Sequence, residues 1–158
     1  MATPRTACVI TVSDRVAAGT AEDRSGPALV RLLQDAGLDV IAEHLVPDEP
    51  DEITAILKDA AADLIVTTGG TGLAARDRTP QATLPVLDYE VPGLAEEMRR
   101  AGRASTPLAI LSRGVAGVRS GALVINLPGS VNGATESLRA VLPAVGHALD
   151  QLAGETGH

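Results

Sequence analysis

The chain has 158 residues, a net charge of −7, and 45% hydrophobic but only 1% aromatic residues, with one Tyr, no Phe and no Trp. That length favours one domain with a sizeable core built from Val, Leu, Ile and Ala. The acidic balance and the missing aromatic platform argue against a general nucleic-acid binder, and no apolar stretch approaches a membrane span.

Cys8 is the only cysteine, so no disulfide or thiolate metal site can form within one chain, and His44, His147 and His158 show no ligand spacing. Residues 1–6 are too short and polar for a signal peptide, which sets the expectation of a soluble cytoplasmic protein.

Residues 6–12 read as a short buried strand, uncharged and rich in β-favouring residues. It empties into Ser13-Asp14-Arg15 and a polar loop to Gly26. Ser25 is the expected N-cap, and Pro27 suits the first turn, of a helix running to Gly37 with Leu29, Leu32 and Leu33 on one face. Residues 39–46 form a second strand, closed by Pro47-Asp48-Glu49-Pro50. A second helix starts near Asp51, with Ile53, Ile56, Leu57 and Ala60 at core spacing.

The next stretch, Asp-Leu-Ile-Val-Thr-Thr-Gly-Gly-Thr-Gly over residues 63–72, is a buried strand emptying into a glycine-rich loop. These elements make β-α-β-α-β, and right-handed crossovers would set the three strands parallel. A short helix through residues 83–87 is expected. Another near residues 92–101 turns Leu94 and Met98 inward and Glu96, Glu97, Arg99 and Arg100 outward. Residues 108–116 fit helix and strand equally. Residues 122–127 are a buried strand ending in Pro128-Gly129-Ser130. The last helix, about residues 132–152, should bend or divide at Pro143.

Ligands of open parallel sheets bind outside the carboxyl ends of the strands. Four such ends are polar here: Ser13-Asp14-Arg15, Pro47-Asp48, Thr68-Gly69-Gly70-Thr71-Gly72 and Leu127-Pro128-Gly129-Ser130. The topology brings them to one edge. Each has a plain alternative. The glycines suit a tight turn as well as a phosphate nest. Asp48 suits a helix cap, Asp77 a surface pair with Arg76 or Arg78, and Ser13 and Ser130 are ordinary caps. Together, two carboxylates beside a glycine nest suggest Mg²⁺ with substrate phosphate. The run Gly70-Thr-Gly-Leu-Ala-Ala75 loosely fits a dinucleotide fingerprint, but Arg76, Asp77 and Pro80 interrupt the helix an oxidoreductase would need there. A Walker loop is excluded, because the only lysine is Lys58.

These residues resemble the Mog/MoaB family of molybdenum-cofactor biosynthesis. The matching stretches are Thr11-Val-Ser-Asp14-Arg15, Asp23-Arg-Ser-Gly26, Pro47-Asp48, Thr67-Thr-Gly-Gly-Thr-Gly72, Arg76-Asp77-Arg-Thr-Pro80, Leu111-Ser-Arg113 and Asn126-Leu-Pro-Gly-Ser130. Val131 departs from the proline many members carry there. The resemblance implies an α/β fold, three-layer α-β-α with a mostly parallel central sheet, assembled as a homotrimer or larger oligomer. It implies adenylylation of molybdopterin by MgATP with release of pyrophosphate, and hand-over of the product to a molybdenum insertase. Asp48 and Asp77 would be catalytic, through Mg²⁺. Asp14 and the loop Thr68, Gly69, Gly70, Thr71 and Gly72 would hold phosphate. Ser13, Ser112 and Pro128, Gly129 and Ser130 would contact pterin or nucleotide, with Arg113 and Arg76 as charge partners. A non-catalytic member that binds pterin or nucleotide without turnover is the alternative.

Overall fold

The structure, a computed structural model, describes residues 3–155, so His158 lies outside the described residues. In chain order the elements are β1 (Thr6–Val12), α1 (Asp14–Ala17), α2 (Ser25–Asp35), β2 (Asp39–Val46), α3 (Pro50–Asp59), β3 (Leu64–Thr68), α4 (Thr79–Thr83), β4 (Tyr89–Glu90), α5 (Pro92–Gly102), β5 (Ala116–Arg119), β6 (Ala122–Leu127) and α6 (Val131–Leu152). The strands pair in the order β2-β1-β3-β6-β5-β4. β2, β1, β3 and β6 are parallel, while β5 runs antiparallel to β6 and to β4.

Successive strand residues point to opposite faces, and both faces are covered. Ala7, Val9, Leu64, Val66, Leu123 and Ile125 pack with Leu29 and Leu33 of α2, Met98 of α5 and Leu138 of α6. Cys8, Ile10, Ile65 and Val124 pack with Ile53 and Leu57 of α3 and Ala82 of α4. This is the expected three-layer architecture. It explains why β1, β3 and β6 read as largely apolar, uncharged runs. No helix among the described residues is long and apolar enough to cross a membrane.

Several local expectations are corrected. Ser25 lies inside α2 rather than capping it; Arg24 holds the cap position without a side-chain bond. Asp23 does the work instead, its Oδ1 accepting the Gly26 N–H at 3.0 Å. The segment after β1 is not all loop, because the Ser13 hydroxyl oxygen accepts the Val16 N–H and starts α1.

The short helix after the glycine loop begins at Thr79, earlier than expected, and continues as a 3₁₀ turn over Leu84–Val86. Its start is fixed by tertiary bonds: Thr79 donates its N–H to Gly70 O and its hydroxyl to Gly69 O. The ambiguous residues 108–116 divide into a 3₁₀ turn, Pro107–Leu111, and an extended approach to β5. α6 runs undivided through Pro143, which sits on its exposed side. Val131 occupies the first turn after the Ser130 cap, a position that proline would also suit.

Candidate functional site

The carboxyl ends of β2, β1, β3 and β6 lie side by side, so the four polar segments do meet on one edge. Asp14 and Asp48 exchange backbone-to-carboxylate hydrogen bonds: Asp14 N–H to Asp48 Oδ2 and Asp48 N–H to Asp14 Oδ1, both 2.9 Å. Arg76 grips Asp14 with two bonds of 2.9 Å and reaches Glu49 at 2.8 Å. One guanidinium therefore ties together the loops bearing Asp14, Asp48 and Asp77. Its hydrogen bonds hold the Asp14 carboxyl below the usual carboxylate range.

Asp48 does not cap α3, whose cap position is Glu49. Its Oδ1 is buried and has no hydrogen-bond partner among the described residues. Burial, reinforced by the neighbouring charges of Asp14 and Asp77, pushes the Asp48 carboxyl up, against the bond from the Asp14 backbone. Asp77 does not pair with Arg76 or Arg78; its Oδ2 accepts the Ala74 N–H at 3.1 Å. Each aspartate thus has one oxygen anchored to backbone. A buried anionic oxygen with no donor suits a hard cation, so this donor set fits Mg²⁺.

The glycine loop is locked from three sides. Thr79 holds it as described. Arg113 donates its backbone N–H to Thr71 O at 2.8 Å, and its guanidinium reaches Gly72 O, Asp77 O and Gln81 at 2.8, 2.7 and 3.1 Å. Thr68 gives its hydroxyl to Pro128 O at 2.7 Å, and Gly69 gives its N–H to Leu127 O at 3.0 Å. The backbone N–H groups of Gly70, Thr71 and Gly72 have no acceptor among the described residues and are the open donors of the loop.

Two cavities adjoin this loop. One, of about 450 Å³, is polar and includes Ser13, Asp23, Asp48, Gly70, Asp77 and Ser130 in its wall. The other, of about 390 Å³, is walled by Thr71, Met98, Leu108, Leu111, Ser112 and Ser130, among others. Ser130, whose hydroxyl oxygen caps α6 by accepting the Gly133 N–H, belongs to both walls. Ser112 Oγ accepts the Gly114 N–H at the edge of the second cavity.

Three residues were not singled out individually by the sequence reading. Thr79 is a clamp. Asn126 is buried on the α3 face, accepting the Val115 N–H and donating to Thr67 and Thr83 hydroxyls. Glu136 lines the second cavity. Arg99, expected to face outward, instead donates to Ser112 O and Gly114 O at 3.3 and 3.1 Å. Nothing in the helical spacing of α5 announces that, because the accepting carbonyls belong to a distant loop. His147 is exposed on α6, and the described residues contain no cluster of three metal-ligating side chains.

Comparison with known proteins adds a family. The model described as "Probable molybdopterin binding domain" matches residues 8–147. A molybdopterin adenylyltransferase of Helicobacter pylori is 42% identical over 152 residues, covering 92% of this chain and 86% of that protein. A molybdenum cofactor biosynthesis bifunctional protein of Chlorobaculum tepidum is 42% identical over 98% of this chain, which spans only 50% of that relative. For the similarly named protein of Synechococcus elongatus the share is 47%, so the chain spans about half the length of these two relatives. Among solved structures, the molybdopterin biosynthesis enzyme MoaB of Thermus thermophilus superposes with a TM-score of 0.90 at 51% identity, covering 95% of this chain and 97% of that one. The tungsten cofactor synthesizing protein MoaB of Pyrococcus furiosus gives 0.88 at 33% identity, covering 96% and 99%.

Proposed function

We propose, on the premise that the chain belongs to the molybdopterin-binding domain family, that it is a molybdopterin adenylyltransferase, joining the AMP unit of MgATP to the terminal phosphate of molybdopterin. The observation that carries this reading is the buried, unpartnered Asp48 Oδ1 at the edge of a glycine loop with open N–H donors. The relatives named molybdopterin adenylyltransferase support it.

In this reading an oxygen of the pterin's terminal phosphate attacks the α-phosphorus of ATP. The bond from that phosphorus to the bridging oxygen breaks, and pyrophosphate leaves with the electron pair. No covalent intermediate with the protein is required, so the chain contributes position and charge compensation. The Gly70, Thr71 and Gly72 N–H groups hold phosphate oxygens. Asp48 and Asp77 hold Mg²⁺, which when bound neutralises phosphate charge. Arg113 and Thr79 keep the loop in register through the bonds described above. The polar cavity suits the nucleotide and the apolar one the pterin, with Ser130 between them.

The finer parts of the proposal are a homotrimer in the cytoplasm and hand-over of the product to a molybdenum insertase. Exposed apolar side chains such as Ile110 and Ile41, 61% and 51% accessible, support assembly. Relatives named bifunctional, of which this chain matches about half, support hand-over.

The test is pyrophosphate release from ATP, Mg²⁺ and molybdopterin. Wild-type protein is expected to release it, and Asp48→Asn and Asp77→Asn to lose it by about a hundredfold or more while still binding molybdopterin. Full turnover by Asp77→Asn overturns the role of that residue. Binding of molybdopterin by wild-type protein without pyrophosphate establishes the non-catalytic alternative. Light scattering that finds a monomer at micromolar concentration overturns the trimer.

A further inference from the structure

The apolar cavity has two ionisable side chains in its wall, Arg99 and Glu136. Arg99 spends its Nη1 on the carbonyls of Ser112 and Gly114, so it acts as part of the wall. Glu136, in the second turn of α6, is half-buried. Its Oε1 accepts the Ser105 hydroxyl at 2.8 Å, and its Oε2 has no donor among the described residues. A lone carboxylate on a largely apolar wall, braced at one oxygen by Ser105, keeps acceptor capacity on both oxygens, since each has more than one lone pair.

We infer that Glu136 is the specificity-determining residue of this cavity, accepting the N3–H and 2-amino N–H of an aminopyrimidinone ring. The inference rests on the adenylyltransferase reading and adds which edge of the substrate is recognised and by what. A carboxylate offers acceptors only, and that ring edge offers two adjacent donors, so the two match without an unpaired group. The bonds are charge-assisted and therefore stronger than neutral ones. The cavity, about 390 Å³, is within the range of small-ligand sites, and Met98, Leu108, Ala109 and Leu111 supply apolar contact for a ring. Ser105, on the loop after α5, holds the carboxylate at one oxygen. The plain alternative is that Glu136 only ties this loop to α6.

The two roles separate experimentally. Binding is measured by fluorescence with 6-hydroxymethylpterin and with its 2,4-dioxo counterpart, 6-hydroxymethyllumazine, which lacks the 2-amino donors. Wild-type protein is expected to prefer the pterin by about tenfold to a hundredfold, the size of a charge-assisted hydrogen-bond difference. Glu136→Gln is expected to erase that preference while ATP affinity and the unfolding midpoint stay within twofold and a few degrees of wild type. Glu136→Asp should retain part of the preference, and Ser105→Ala should weaken it without abolishing it. A Glu136→Gln protein with undiminished preference overturns the inference, as does a wild-type protein that binds both rings equally or binds neither. If wild type discriminates but never releases pyrophosphate, the adenylyltransferase reading fails and the role of Glu136 stands. If Glu136→Gln turns over molybdopterin with unchanged KM, the reverse holds.

Discussion

The unpartnered Oδ1 of Asp48 lies beside the bare Cα of Gly70: a methyl group placed there would stand 3.0 Å from that oxygen and clash with the Thr79 hydroxyl. Gly70 also has φ of +70°, a left-handed conformation that L side chains rarely adopt. The space in front of Asp48 exists because residue 70 has no side chain. Gly70→Ala should therefore lose pyrophosphate release and unfold earlier in urea, with a stability loss of about 1–3 kcal/mol from strain and the Thr79 clash. A variant of wild-type activity would show that the open space is not needed.

Arg76 neighbours Asp77 in sequence, yet its charge is spent on Asp14 and Glu49. These groups are solvent-exposed, so the ion pairs should contribute little to stability. Their value is alignment. Arg76→Gln is expected to lower kcat by about tenfold to a hundredfold, the scale of a small misplacement of reacting groups. Its melting temperature should move little. Equal kcat in steady-state assays would refute the alignment role.

Asn126 is 1% exposed and satisfies three polar groups at once, the Val115 N–H and the hydroxyls of Thr67 and Thr83. Replacing it with leucine removes the acceptor of the Val115 N–H and the donor to the Thr67 and Thr83 hydroxyls, of which only Thr83 keeps another bond among the described residues, to Thr79 O. Asn126→Leu should cost about 2–4 kcal/mol in chemical denaturation, since each orphaned group costs on the order of 1–3 kcal/mol less any relief by relaxation. Unchanged stability would mean that the cluster finds other partners.

Cys8 lies between β2 and β3 in the sheet, 1% exposed, and burial pushes its thiol up to about 11 from 9.0. Folding therefore disfavours the thiolate. The contribution of the neutral thiol to stability is intact below pH 9 and is lost as pH rises through about 11. Iodoacetamide at pH 8 should leave the folded protein unlabelled and label it quickly in denaturant. Rapid labelling of the native protein at pH 8 would contradict this burial.

Local pattern decided the strands. Residues 6–12, 39–46 and 122–127 match β1, β2 and β6, because apolar runs (β1, β6) and an alternating pattern (β2) bounded by Gly, Pro and polar residues have few other ways to fold. It also decided that four polar strand ends share an edge, since parallel strands place their carboxyl ends together. Pattern failed where a partner is remote. The α4 start depends on the glycine loop, and the inward turn of Arg99 depends on carbonyls of residues 112 and 114.

The sequence by itself determined the four parallel strands and the family, and it singled out the carboxylates and glycines of the candidate site. Only the tertiary structure decided what each atom is free to do. Asp14 meets Asp48 across 34 residues and Arg76 across 62. Those contacts leave Asp48 Oδ1 unpartnered, commit Arg113 to holding the loop, and leave the N–H groups of Gly70, Thr71 and Gly72 without an acceptor among the described residues. The physical reason is that propensity is a property of neighbours in the chain. A hydrogen-bond vacancy depends on every group that packing brings near, and packing joins residues that no local pattern relates.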